Sequence, residues 1–313
     1  MLKKKGSLCF METVSIVVNQ TLVMFLLIGV GYILFKSGKI SQNGSKDMAS
    51  MLVTVVIPAV IINSFSTNYT QEKAQALLLC TALASVVLII SLVISHILFK
   101  KDAIGDFASA FSNPGFFGIP LVQAALGNDA VLYITPFIVG INILQFTYGV
   151  GLMSNKKGSI EWKKFAKNPI FLSTIVGIFF FLLPVNLPSI ITKPLNNLAN
   201  LNAPLAMMVM GVYLAQTDLK SLFCSIQLYI ISFSRLILIP IVVLATLYLI
   251  PASNEIRTAL LIAGACPVGA NVAVYAQLNH KDYAYAVKTV VLSTLLCIIS
   301  LPLTLALAQI LWQ

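Results

Sequence analysis

Charge is what this 313-residue chain has least of: 10 Asp and Glu and 20 Lys and Arg make up 10% of its residues. An ordinary soluble domain is roughly 25% charged and 45–50% apolar, whereas 58% of this chain is hydrophobic. That imbalance excludes a soluble fold. Histidine is limited to His96 and His280. The five cysteines, Cys9, Cys80, Cys224, Cys266 and Cys297, form no CxxC pair and have no histidine close by. The scatter argues against a metal site and reads as small core residues. No HExxH motif is present, and no aspartate pair is embedded in an apolar run. Ser and Cys have no histidine at comparable depth, so an intramembrane enzyme lacks its residues.

What the chain has instead is a succession of apolar runs of about 20 residues, the length that crosses roughly 30 Å of hydrocarbon. Ten segments can be laid out, at 13–36, 48–66, 74–99, 104–126, 129–154, 169–187, 188–216, 221–250, 255–279 and 283–312. Pro184, Pro188, Pro194 and Pro204 interrupt the sixth and seventh, and each removes a backbone donor, so a count of eight or nine stays open. The first run is too long for a cleaved signal peptide and is followed by further spans. Residues 1–12 read as a separate N-terminal segment. Met11 opens the stretch METVSIVVNQ, which leads directly into the first run, and it is taken as the true start.

The net charge of +10 sits in short loops rather than on a continuous basic face, which argues against a nucleic-acid partner. Cytoplasmic loops are enriched in Lys and Arg. Placing 155–168 inside brings Lys36, Lys39, Lys46, Lys100, Lys101, Lys156, Lys157, Lys163, Lys164, Lys167, Lys220 and Lys281 to that side, against Lys73, Lys193 and Arg257. The reading is a multi-pass protein of the cell membrane with both termini outside. Lys3, Lys4 and Lys5 violate the pattern, a second reason to begin at Met11. The basic loop 155–168 divides the chain into 13–154 and 169–313, five spans each. An odd number per half makes the halves opposite in orientation, as in inverted repeats. The expected fold is therefore all-α, ten transmembrane helices in two inverted five-helix repeats, with the fourth and ninth broken.

Those breaks are visible as sequence. Span four contains SNPGFFGIP, Ser112 to Pro120, and span nine contains GACPVGAN, with Gly264, Pro267, Gly269 and Asn271. Non-helical backbone in hydrocarbon is tolerated only when packed in protein or lining a wet cavity. Half-helices starting at such a break aim N–H groups and about half a positive charge into it, which suits a carboxylate. Kinking for packing alone is the competing reading of either break. Two breaks at corresponding positions, each with an Asn that donates and accepts, favour a binding site. The candidate residues are Asn113, Pro114, Gly115, Pro267, Gly269 and Asn271, with Arg235 and Gln145 as polar contributors from spans eight and five. Arg235 is read either as an anion attractor or gate lock, or as an Arg tied to carbonyls between helices. Asn63, Asn142, Tyr148, Asn202, Tyr275, Ser293 and Thr294 are further polar candidates, each equally able to hydrogen-bond between helices. Lys288 lies near enough to the inner end of span ten to snorkel there. His96 and His280 read as interfacial rather than as proton relays.

SNPGFFGIPL resembles the asparagine, glycine, phenylalanine, glycine and proline pattern of the auxin efflux carrier family. LVTVVIPAVIINSF, KNPIFLSTIVGI, APLAMMVMGVYLA, ACPVGANVAVYA and VVLSTLLCIISLPL are similar to it in the same order. The resemblance runs from Met11 through nearly the whole chain. It implies ten helices in two inverted repeats, crossing at Pro114 and Pro267, with substrate beside the crossover. It also implies small organic acids such as malonate or malate for bacterial-type members with a short central loop, and the bile acid sodium symporters resemble the same architecture.

All ten acidic residues fall in loops or near span ends, Asp106 the closest to being embedded. No carboxylate is thereby placed deep enough to shuttle a proton. One charge crossing 100 mV is worth about 2.3 kcal/mol, roughly a fifty-fold gradient, and an interior-negative cell expels anions. Electrogenic efflux or facilitated transport of a small organic anion by alternating access is the expectation. Sodium-coupled uptake, or a channel or sensor on the same fold, is the alternative. No cofactor is called for; coupling to Na⁺ or H⁺ and a homodimer are left open.

Overall fold

The computed structural model describes residues 2–66, 70–154, 166–183 and 188–312. Among them the chain is helical almost throughout, with no β-strand beyond one isolated bridge. The helices are α1 Leu2–Lys36, α2 Gln42–Phe65 and α3 Gln71–Phe99, then α4 Ala103–Ala110. They continue with α5 Pro114–Leu126, α6 Asn128–Met153, α7 Pro169–Leu182 and α8 Ser189–Gln216. A turn of helix at Leu219–Phe223 leads into α9 Ile226–Leu249, followed by α10 Asn254–Ala265 and α11 Asn271–Leu278 and by α12 Tyr283–Trp312.

Side-chain caps set most of the starts. Ser41, Thr70, Asp102, Asn168 and Ser253 each accept a hydrogen bond from the first turn of the helix they precede, which satisfies donors that have no intrahelical partner. Among the described residues seven helices are long and apolar enough to cross a membrane, α1 contributing Ser15–Lys36. The fourth and ninth predicted spans are each two half-helices, α4 with α5 and α10 with α11. The sixth is shorter than predicted: α7 ends at Leu182, and Pro184 lies outside the described residues. Pro194 and Pro204 do not break α8 into separate spans. No helix break marks the boundary drawn at residue 12, since α1 runs through it. Residues 155–165 of the basic loop lie outside the described residues.

Three helices widen at the same dipeptide. Ile57, Ile119 and Ile239 each precede a proline, and each donates its N–H to the carbonyl five residues back, of Leu52, Pro114 and Ser234. A proline in a helix lacks its own donor and its ring crowds the carbonyl four residues back. A π-turn just before it relieves that crowding. The widened turns carry Val53, Gly115 with Phe116, and Arg235, and all three recur below.

The helices pack as two groups. α1 lies along α8, and α2 contacts α7 and α8. In the second group α3 packs on α4 and α6, α9 on α10, and α11 on α12. The surface turned away from these contacts is apolar, with Leu26, Leu78, Ile97, Leu249 and Ile310 all more than 70% exposed. Water does not tolerate such an envelope, whereas lipid matches it. With lipid as solvent, burying apolar area no longer drives helices together, and close backbone approach takes over. A Cβ added to Gly31 of α1 would stand 2.2 Å from the Met208 carbonyl oxygen, and one added to Gly211 of α8 would stand 2.1 Å from that of Ile28. Both clashes are with backbone, so the helices must separate to admit a side chain. Gly211→Val is therefore expected to cost at least the 1–3 kcal/mol typical of overpacking. A thermal midpoint in detergent equal to that of the wild type would show that α1 and α8 are not held by this approach.

Candidate functional site

α4 stops at Ala110 because the backbone turns extended at Phe111, and α10 stops at Ala265 in the same way at Cys266. The two extended segments then pair. Ser112 and Val268 form an antiparallel bridge, the Asn113 N–H donates to the Pro267 carbonyl at 2.9 Å, and the Gly269 N–H donates to that of Phe111 at 2.9 Å. Ser112 Oγ donates to the Ala263 carbonyl, and the Val268 N–H donates to Ser293 Oγ at 3.0 Å. The backbone that leaves the helices is thus paired with protein, the condition for breaking a helix inside a membrane. Gly269 is a steric requirement, since a Cβ there would lie 2.9 Å from the Ser112 carbonyl oxygen.

Behind the bridge the C-termini of α4 and α10 converge on one side chain. Arg235 Nη1 donates to the carbonyls of Ser109 and Ala110 at 3.0 and 3.1 Å, and Nη2 donates to that of Gly264. Arg235 is completely buried and does not line the cavity beside the bridge. Of the two readings of this residue, the geometry is that of an Arg tied to carbonyls between helices. Next to it, Ser109 Oγ and Ser234 Oγ share a 2.7 Å hydrogen bond.

In front of the bridge the N-termini of α5 and α11 face a cavity of about 60 Å³. Asn113, Pro114, Gly115, Gly269, Asn271 and Gln145 line it, together with Asn142 and the apolar Ile57, Ile138, Ile141 and Ile170. Pro267 is not on the wall and contributes its carbonyl to the bridge instead. Asn113 Oδ1 accepts from the Phe116 N–H, while its Nδ2 has no partner although the residue is only 6% exposed. Asn271 Nδ2 donates to Gln145 Oε1 at 2.7 Å, which ties α11 to α6. Asn202 of α8 donates to the Gly115 carbonyl and leaves its own Oδ1 unpartnered. Unpaired buried amide groups cost about 1–3 kcal/mol each; of these two only Asn113 lines the cavity.

A second cavity of about 420 Å³, lined by Gln42, Ser45, Lys46, Gln216, Gln277 and Tyr283, continues from the first through Val53, Phe116, Ala270 and Asn271. It opens where the lysine-bearing connections α1–α2, α8–α9 and α11–α12 meet. The α3–α4 connection joins them, since the Tyr285 hydroxyl reaches Asp102 Oδ2 at 2.9 Å.

One group was misjudged from the sequence. Asp106 is fully buried and accepts from Ser95 Oγ at 2.7 Å and the Tyr148 hydroxyl at 2.9 Å, with His96 Nδ1 at 3.0 Å. His96 keeps about half of its side chain exposed and belongs to this cluster. Asp106 lies one turn inside α4, near a span end by count but enclosed by α3 and α6. The expectation of uncoupled export, which rested on the absence of an enclosed carboxylate, loses that support.

A family described as Membrane transport protein matches residues 16–163 and 158–305. A Rhizobium meliloti protein named "Putative malonate transporter" is 26% identical over 299 residues, covering 90% of this chain and 92% of its own length. Two archaeal proteins named "Uncharacterized transporter" are similarly related. The one from Methanocaldococcus jannaschii is 24% identical over 292 residues, covering 88% of this chain and 94% of its own. The one from Methanothermobacter thermautotrophicus is 22% identical over 298 residues, covering 91% and 96%.

Ser293→Ala removes the acceptor of the Val268 N–H and is expected to cost about 1–3 kcal/mol. Ser300→Ala on the same helix is the control, because Ser300 Oγ is buried without a partner. Thermal unfolding in detergent separates them: only the first lowers the midpoint, and equal effects would contradict the role assigned to Ser293.

Proposed function

Because the chain belongs to the membrane transport protein family, that of the auxin efflux carriers its motifs resemble, we propose that it is a secondary carrier of small organic anions. Its substrates in this reading are mono- and dicarboxylates of malonate or malate size, moved across the cytoplasmic membrane by alternating access. α4/α5 and α10/α11 act as the fourth and ninth of ten spans, and α1–α6 and α7–α12 form two inverted repeats about the crossing.

The observation that carries the proposal is the polarity of the crossing. Two helix N-termini, each worth about half a positive charge, face one cavity with the unpartnered Asn113 amide. The two C-termini point away and are neutralised by Arg235. A carboxylate accepts hydrogen bonds only and matches such a pocket. The name of the Rhizobium meliloti relative is consistent with a dicarboxylate. With the lysine-bearing connections on the cytoplasmic side, both termini face outward and the larger cavity is a vestibule from the cytoplasm. Group closure around the crossing would then present the site to the other side. The membrane potential favours the outward direction for an anion.

A thermal-stability screen of the purified protein against C2 to C6 mono- and dicarboxylates tests the reading. A ligand at 100 times its dissociation constant adds about 2.7 kcal/mol. At least one acid is expected to raise the midpoint of the wild type and to lose that effect in Asn113→Ala and Asn271→Ala. If no acid shifts the wild type, the organic-anion assignment falls and the fold alone remains.

A further inference from the structure

Carriers built on broken helices hold their coupling cation with half-helix C-termini and unwound carbonyls. Here that position is occupied by the protein itself. We propose that Arg235 is a tethered cation, standing where a sodium ion would be needed, so that the crossing is complete without an alkali ion and its removal opens a site for small cations.

Three observations carry this. The partners of Arg235 are carbonyls from the last turns of two half-helices, Ser109 and Ala110 of α4 and Gly264 of α10, the donor type a hard cation takes. Each helix end carries about half a negative charge, and two such ends together balance about one positive charge. The balance is made locally, because Arg235 is fully buried and no carboxylate among the described residues lies within ion-pair distance of it. Asp106, the nearest acidic residue in sequence to these carbonyls, is engaged by Ser95, His96 and Tyr148 instead. A buried guanidinium without a carboxylate is costly unless something replaces its solvation; the paired helix ends do so at Nη1 and Nη2, while Nε is buried without a partner. The site is also built in: Arg235 projects from the widened turn Ser234–Leu238 that precedes Pro240, and the Ser109–Ser234 bond fixes that turn against α4. The inference rests on the crossing and not on the organic-anion reading, so either can fail alone.

The test measures thermal midpoints at constant ionic strength in choline, sodium and guanidinium chlorides, the last at millimolar concentration, for the wild type, Arg235→Ala, Arg235→Lys and Arg235→Gln. The wild type is expected to be indifferent to sodium against choline. Arg235→Ala loses stability and regains most of it with guanidinium and part with sodium, and Arg235→Lys stays closer to the wild type than Arg235→Gln. A sodium-specific rise in the wild type would mean that the crossing already takes an ion, and would overturn the proposal. So would an Arg235→Ala protein that responds to neither cation. If Arg235→Ala cannot be purified, the Lys and Gln variants decide: retention by Lys alone supports a cationic role, and equal loss refutes it.

Discussion

Two half-helices whose C-terminal carbonyls converge on one point carry like partial charges, and in this protein the guanidinium of Arg235 allows them to meet. The rest of the crossing follows from that meeting. With α4 and α10 held end to end, Phe111 to Asn113 can pair with Pro267 to Gly269, and α5 and α11 must begin on the opposite side of the bridge. Their N-termini then share a cavity. Negative ends bound to the Arg235 guanidinium and positive ends turned to the cavity are the polarity on which the proposal of an anionic substrate rests.

Proline works to the same end in a different way. The Ile-Pro pairs at 57–58, 119–120 and 239–240 each close a π-turn, and those turns place Val53 and Phe116 where the two cavities join and Arg235 at the helix ends. Helix defects are thus concentrated where a side chain or a backbone group must face the crossing. α6 carries a fourth π-turn, Gln145–Gly149, and α1 and α8 approach closely through Gly31 and Gly211.

Much of this was legible in the sequence. The breaks at SNPGFFGIP and GACPVGAN are legible because each packs Pro and Gly together at corresponding places in two apolar runs, and Asn113, Asn271 and Gln145 do come together at one cavity. The role of Arg235 was not decidable, since a mid-span Arg can face a cavity or a cluster of carbonyls, and only the position of α10 relative to α4 distinguishes the two. Asp106 was misjudged for a related reason: distance from a span end measures depth along one helix and says nothing of the neighbours that enclose it. The shortness of α7 was hidden because hydropathy continues past Leu182 although the described helix ends there.

The central claim is that the crossing is a saturable anion site exposed to one side at a time. Counterflow tests it most directly: proteoliposomes loaded with unlabelled malonate are diluted into a trace of labelled malonate, and uptake of label is followed over time. The account predicts a transient accumulation of label above equilibrium, saturating with external malonate and absent in Asn113→Ala. Label that only equilibrates, at a rate linear in concentration, would be the behaviour of a pore and would contradict it.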